Sequence, residues 1–323
     1  MEVAVLGAGA YGLALSKILL ENGNNVKIWT KIEQEKDELK TNHYSSKLKE
    51  YKIPKSVEIT TDLKECVKNA KLIVFSIPAK FASSVVKELS QCYNNQYILI
   101  ATKGIEQNKS YFMSELINRY ITTNKIGVIS GPSFAIDIIE DVPIGLSLGS
   151  NDWNTIKIVK KVFENEHFKL SETKDIIGLE ICGAIKNVLA IASGMIAGMN
   201  LPISTQALFL TEALNEIKKL IYELDGDPNT ILSLAGFGDI ILTCTSEKSR
   251  NYSFGKIIGE SKTSEEIDNY VKSNTIEGLY TLKAICKLIK NKKINAPIID
   301  IINDIVEKKD KPQKILRYII EKK

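Results

Sequence analysis

The sequence predicts an α/β half followed by an all-helical half, and three observations carry that expectation. Short β-branched and apolar runs alternate with stretches long enough for helices up to about residue 175. The first of those runs leads directly into Gly7-Ala-Gly9-Ala-Tyr-Gly12. Beyond that half, apolar residues recur at helical spacing and strand patterns fade. With 323 residues the chain exceeds what one hydrophobic core usually fills, so two domains are expected, and two domains imply a cleft.

The predicted strands are Glu2–Leu6, Asn25–Trp29, 57–60, 72–76, 97–101 and Ile126–Ser130. Near-continuous apolar runs such as Leu72-Ile-Val-Phe-Ser76 suit a parallel sheet covered on both faces, which places ligands outside the carboxyl ends of its strands. A strand, a glycine turn and a helix in that order make this a Rossmann-like dinucleotide-binding domain. Helices are predicted over 176–199, 206–224 and 281–290, with a terminal amphipathic helix over 307–323 in which lysines alternate with Ile315, Leu316, Ile319 and Ile320. No Gly/Ser-rich linker marks the join, and the domains are placed at 1–180 and 181–323. A membrane span over 176–203 is rejected. Glu180, Lys186 and Asn187 interrupt it, and the clean run 188–199 is shorter than the roughly 20 residues a bilayer needs.

Composition narrows the function classes. At 44% hydrophobic and 25% charged residues the chain is too apolar to be disordered and must bury a sizeable core. Lys and Arg number 43 against 39 Asp and Glu, and a dispersed surplus of +4 gives no reason to expect nucleic acid, whereas an anionic small molecule stays open. Cys66, Cys92, Cys182, Cys244 and Cys286 are widely spaced with no C-x-x-C pair, and they read as reduced thiols. His43 and His167 are the two histidines, far apart, so no metal site is expected. The N-terminus opens into an apolar strand without a basic leader, which makes the cytoplasm the expected compartment.

In the glycine turn, Gly7 permits the tight turn, Gly9 lets a pyrophosphate approach the backbone, and Gly12 allows close helix-on-strand packing. An NAD-specific site usually carries Asp or Glu about 20 residues on; here Ile28-Trp29-Thr30-Lys31 stands there instead. Lys31 could pair with a 2′-phosphate, which favours NADP over NAD, while a plain surface role for Lys31 and an approach by Glu33 or Glu35 remain alternatives. Lys186 lies among apolar and small residues, between Ile181-Cys-Gly-Ala-Ile185 and Val188-Leu-Ala-Ile-Ala192. A desolvated amine there suits proton exchange and carbonyl polarisation, against the alternative of a stem that snorkels to water. Lys103 ends the fifth predicted strand, and Gly131-Pro-Ser133-Phe-Ala135 follows the sixth, both where open α/β sheets gather ligand groups. In the helical half, Gly236-Phe-Gly-Asp239, Thr243 and Ser249-Arg250-Asn251 form a polar stretch, with Arg250 suited to phosphate oxygens. A surface ion pair for Arg250 and a helix cap for Asp239 are the ordinary alternatives.

Taken in order, these segments resemble the bacterial-type NAD(P)-dependent glycerol-3-phosphate dehydrogenase family. The blocks are GAGAYG at 7–12, IPAK at 77–80, ATKGIE at 101–106, SGPSFA at 130–135, GAIKNVLAIASGM at 183–195, GFGDIILTCTSEKSRNYSFG at 236–255 and IEG at 276–278. The resemblance implies reversible reduction of dihydroxyacetone phosphate to sn-glycerol 3-phosphate with NAD(P)H, a supply route for glycerophospholipids. It implies Lys186 as the group that polarises the carbonyl and handles the alkoxide proton. Lys103, Gly131, Ser133, Asn187, Asp239, Thr243, Ser249, Arg250 and Asn251 are carried over as substrate-side residues. Gly7, Gly9, Ala10, Tyr11, Gly12, Lys31, Lys103, Ala135, Arg250, Thr275 and Glu277 fall at cofactor positions. A small phosphorylated substrate is the expected partner, with a homodimer as the candidate assembly and no stable membrane insertion.

Two departures stand out. Ala10 replaces a frequent Ser, which removes one hydroxyl from the phosphate loop. Thr211-Glu212-Ala213 stands where the family usually has Thr-Arg-Gly, and Ser204-Thr-Gln206 precedes it, so a charge is reversed in the helical domain. Rival readings are a ketopantoate- or hydroxyacid-type reductase of similar architecture and a non-catalytic NAD(P) sensor. Arg250 with Asn251 favours a phosphate-bearing substrate over the first. A sensor has no need of Lys186 in apolar surroundings.

Overall fold

The computed structural model describes residues 1–321, and the predicted terminal helix therefore reaches past the described residues at its last two positions. The chain forms two compact units, one of Met1–Lys103 with Met113–Ile176 and one of Gly104–Phe112 with Ile177–Lys323.

The first unit is an eight-stranded sheet with intervening helices. In chain order its strands are β1 (Glu2–Leu6), β2 (Asn25–Trp29), β3 (Glu58–Thr60), β4 (Leu72–Phe75), β5 (Tyr97–Ile100), β6 (Ile126–Ser130), β7 (Ile144–Gly149) and β8 (Phe168–Thr173). Across the sheet the order is β3-β2-β1-β4-β5-β6-β7-β8. All neighbours run parallel except β6 and β7, which pair antiparallel with Ile129 opposite Leu148. The six strands expected from sequence are present, β3, β4 and β5 each one residue shorter. Strands β7 and β8 were not expected. Ile144-Gly-Leu-Ser-Leu-Gly149 carries two glycines, which strands disfavour, and Phe168-Lys-Leu-Ser-Glu-Thr173 alternates buried with exposed positions as an edge strand does.

The central strands bury both faces, as parallel strands under helices must; Leu72, Ile73, Val74 and Phe75 are wholly buried. Because the chain winds from β1 outward to β3 and then returns to place β4 on the other side of β1, the switch point falls between β1 and β4. The glycine turn leaves β1 at that point and opens the helix Ala10–Glu21, whose N-cap is Gly9.

Among the described residues the second unit is helical apart from a single bridge between Ile105 and Phe112 in its short first segment. Its core helix, Ile176–Gly198, is long and apolar enough to cross a membrane by length and composition, but 89% of its apolar window is buried inside the protein. The helix Ile203–Glu223 follows, then a 3₁₀ turn at Pro228–Leu232, a π-helical turn at Leu234–Gly238, and helices Asp239–Cys244, Arg250–Gly259, Ser264–Ser273, Glu277–Lys292, Pro297–Val306 and Gln313–Glu321.

Glycines decide how two of these helices meet. A Cβ on Gly194 would stand 2.0 Å from the Tyr252 carbonyl oxygen, on Gly198 2.1 Å from that of Lys256, on Gly255 1.8 Å from that of Ile191, and on Gly259 2.1 Å from that of Met195. Two four-residue glycine spacings thus face each other and bring the backbones of Ile176–Gly198 and Arg250–Gly259 into contact. Gln206 closes the same region, its amide donating to the Ser193 carbonyl and the Tyr252 hydroxyl at 3.2 Å each. A buried carboxylate, Glu216, accepts from the backbone N–H groups of Ile298 and Ile299 at 2.9 and 3.0 Å and so caps the helix Pro297–Val306 from a distance.

Candidate functional site

In the first unit the three glycines of the turn meet three different surroundings. A Cβ on Gly7, whose φ is +117°, would lie 2.4 Å from the Ser76 carbonyl oxygen at the end of β4. One on Gly12 would lie 2.2 Å from the Gly7 carbonyl. Around Gly9 nothing comes within 4 Å. Packing therefore demands glycine at positions 7 and 12, while position 9 is bare backbone facing open space at a helix N-terminus with no acidic residue in its first turn. These are the features a dinucleotide pyrophosphate requires, and the residues present fit that group.

Four further sequence-selected residues gather beside the turn. The Tyr11 hydroxyl lies 3.2 Å from Ser133 Oγ, Lys103 Nζ donates to the Gly131 carbonyl at 3.0 Å, and the same amine lies 5.3 Å from the Tyr11 ring centroid, a cation–π contact. Gly131 is tight because β7 passes alongside, with Leu146 Cδ2 only 2.8 Å from where its Cβ would be. Ala10 and Ala135 open the helices Ala10–Glu21 and Ala135–Ile139 and pack against the core. Lys31, just past β2, is exposed with Glu88 3.8 Å away. Glu35 is held by the Thr30 hydroxyl at 2.6 Å and by Lys47, and Glu33 is held by Lys36.

In the second unit Lys186 is buried, and its Nζ donates to Asp239 Oδ1 at 2.6 Å. Asp239 has no exposed surface, and Thr243 Oγ1 donates to the same oxygen at 3.3 Å from one turn further along its helix. An ammonium buried alone is very costly; against a carboxylate that is itself hydrogen-bonded the cost is largely offset. Asp239 opens the helix Asp239–Cys244, but its side chain is committed to Lys186 across 53 positions of sequence rather than to a cap. Cys244, wholly buried nearby, donates to the Lys186 carbonyl at 3.8 Å; burial pushes its thiol far up and leaves it unreactive.

Asn187 and Asn251 are also joined, Asn251 Nδ2 donating to Asn187 Oδ1 at 2.9 Å, while Asn251 Oδ1 accepts from the Gly278 N–H at 2.9 Å. Ser249 is the N-cap of Arg250–Gly259, its hydroxyl oxygen accepting from the Tyr252 N–H. Arg250 is exposed, and its backbone carbonyl accepts from Tyr270. Thr275 is exposed and Glu277 half-buried at the start of Glu277–Lys292. At the sequence departures, Gln206 and Ala213 are buried and Glu212 is half-buried. Sequence reasoning did not single out Gly278 or the four helix-contact glycines. The four-residue spacings Gly194-x-x-x-Gly198 and Gly255-x-x-x-Gly259 were the available signal.

A glycine turn with bare backbone at the switch point of one unit and a buried Lys–Asp pair in the other are features that a dinucleotide-linked oxidoreductase uses. The chain belongs to the NAD-dependent glycerol-3-phosphate dehydrogenase family, matching its N-terminal part over residues 2–156 and its C-terminal part over residues 175–317. It is 34% identical to a glycerol-3-phosphate dehydrogenase [NAD(P)+] of Staphylococcus epidermidis over 99% of this chain and 98% of that protein. One from Agathobacter rectalis is 35% identical over 97% and 93%. The crystal structure of glycerol-3-phosphate dehydrogenase from Coxiella burnetii has a TM-score of 0.94 at 28% identity, covering 99% of each chain.

Proposed function

We propose that this protein reversibly reduces dihydroxyacetone phosphate to sn-glycerol 3-phosphate with NAD(P)H and a proton, supplying glycerophospholipid synthesis. The observation that carries the reading is the buried Lys186–Asp239 pair in a chain matched to the family over nearly its whole length. That match leaves the ketopantoate-type and sensor alternatives without support of their own.

When bound, the nicotinamide supplies the hydride. The protein's part is to hold and polarise the ketone and to manage the proton. Lys186 directs its positive charge at the carbonyl oxygen and delivers the proton that the developing alkoxide needs, and Asp239 with Thr243 holds the amine in place. Asn187 donates to the substrate. Arg250, an exposed guanidinium, and Ser249 serve the phosphate. Lys103, over Tyr11 and against Gly131, adds a second cation, with Ser133 beside it. Gly7, Gly9, Ala10, Tyr11, Gly12 and Ala135 form the cofactor cradle, with Thr275 and Glu277 as further cofactor contacts.

NADP is the favoured cofactor, since exposed Lys31 stands where an NAD-selective carboxylate would, and Glu35 is already engaged by Thr30 and Lys47. The cytoplasm is the proposed compartment; all five cysteines are free thiols, in keeping with a reducing environment. A homodimer is the proposed assembly.

A steady-state assay with dihydroxyacetone phosphate and equal NADH or NADPH tests the reading. Turnover with that ketone but not with 2-ketopantoate is expected, and no turnover with either cofactor overturns it. Lys31→Glu is expected to weaken NADPH about tenfold, with little change for NADH, as the loss of a charged phosphate contact would.

A further inference from the structure

At the carboxyl end of β2 three side chains are linked in series. The Thr30 hydroxyl accepts from the Ile32 N–H at 3.3 Å and donates its single proton to Glu35 Oε2 at 2.6 Å. The other carboxylate oxygen, Oε1, is taken by the Lys47 ammonium. Thr30 is buried and fixed, its own N–H bonded to the Thr60 carbonyl at 3.1 Å at the end of β3. Glu35 therefore stands just past β2, in the first turn of the helix Glu33–Asn42, with both oxygens engaged and only 18% of its side chain exposed.

From this place a carboxylate reads the ribose hydroxyls of NAD, and an unpaired one repels a 2′-phosphate. Whether Glu35 acts as that carboxylate depends on Lys47. The lysine comes from the segment 43–57, which joins the helix Glu33–Asn42 to β3 and is anchored. The Ser46 N–H donates to Glu38 Oε1 at 2.8 Å, the Lys47 N–H donates to Ser45 Oγ at 3.1 Å, and Ser45 and Leu48 are buried. Lys47 is thus delivered to Glu35 by the backbone around it, while its side chain stays 46% exposed. The neighbouring carboxylate, Glu33, is held by Lys36 in the same way.

We infer that the Glu35–Lys47 ion pair determines specificity for the adenosine 2′-phosphate. Lys47 masks a carboxylate that would otherwise select NAD, and the masked site, with Lys31 beside it in sequence, admits NADP. The inference rests on the cofactor preference proposed above and assigns to Glu35 and Lys47 no part in hydride transfer.

Fluorescence titration of the full-length protein with NADPH and with NADH, in the absence of any ketone, tests this through two variants of opposite sign. Lys47→Met removes a cation and unmasks Glu35, so NADPH should bind about tenfold more weakly while NADH binds at least as tightly as before. Glu35→Gln keeps an acceptor for Thr30 and releases the Lys47 charge, so NADPH should bind about threefold more tightly with NADH unchanged. That gain is modest because the ammonium is half in water. The double variant, which loses both charges, should return to within about threefold of the wild-type preference, because paired residues are not additive.

Adenosine 2′,5′-bisphosphate and 5′-AMP, used as competitors, should follow NADPH and NADH respectively, which confines the effect to the ribose end. Equal shifts for the two dinucleotides, no shift, or two single variants that move the preference in the same direction would overturn the inference. A wild type that shows these binding shifts but does not turn over dihydroxyacetone phosphate would overturn the proposed function and leave the masking intact. One that binds neither dinucleotide overturns both.

Discussion

The two units use glycine for opposite ends. In the sheet unit, Gly7 and Gly12 pack tightly so that the turn can leave Gly9 facing open space, and the product of the packing is room. In the helical unit, Gly194, Gly198, Gly255 and Gly259 remove all room between two helices, and the product is contact between buried polar side chains, Asn187 with Asn251. One arrangement leaves bare backbone open for the proposed cofactor. The other preorganises side chains by holding their helices at backbone distance, where low polarity makes each hydrogen bond count for more.

The largest effect should come from breaking the charged pair of the helical unit. Lys186→Ala strands the Asp239 carboxylate, which has no exposed surface, and the expected loss is about 3–5 kcal/mol in urea unfolding. Replacing both partners by apolar residues, Lys186→Met with Asp239→Leu, should restore most of that stability. If the single variant is as stable as the wild type, the pair is not buried as described.

Next come the tight glycines. Gly255→Ala drives a methyl group against the Ile191 carbonyl, and overpacking of this kind costs about 1–3 kcal/mol. Gly12→Ala should cost a similar amount, since its Cβ meets the Gly7 carbonyl, and should weaken dinucleotide binding as well. Gly9→Ala sharpens the contrast. Its Cβ enters open space, so stability should stay within about 0.5 kcal/mol while dinucleotide affinity, read by fluorescence titration, falls. Equal destabilisation by Gly9→Ala and Gly12→Ala would erase the distinction between room and contact.

A smaller loss of stability than the tight glycines give belongs to the helix Trp153–Phe163, capped by Asp152, which accepts from the Thr155 N–H at 2.8 Å. Burial pushes the Asp152 carboxyl up, but the hydrogen bonds from Thr155 and Asn154 outweigh it and hold the group below its ordinary value. Its stabilisation is therefore full above the ordinary aspartate range and is lost as pH falls through the lower folded value. Asp152→Ala should cost about 1 kcal/mol at neutral pH and progressively less in acid.

Much of this was legible beforehand, for local reasons. The six parallel strands announce themselves as apolar runs, and the glycine turn is a contiguous motif whose three positions have separable purposes. Lys186 could be singled out because its helical neighbours are apolar on every side. Its partner could not, because Asp239 lies 53 residues away and looks locally like a helix cap. Strands β7 and β8 were obscured by glycines and by an alternation that half-exposed edge strands share with loops. The Asn187–Asn251–Gly278 chain joins three helices, and nothing in local pattern encodes which amide end faces which neighbour.

If Lys186 acts on the substrate rather than merely filling its helix, removing its amine must slow chemistry without unfolding the protein. Single-turnover oxidation of bound NADPH by dihydroxyacetone phosphate, followed by absorbance in Lys186→Met with Asp239→Leu, tests it in a protein expected to fold and to bind cofactor. Cofactor binding near the wild-type level is expected, with hydride transfer slowed by at least about a hundredfold, the usual scale for losing a positioned acid. Transfer at the wild-type rate would contradict it.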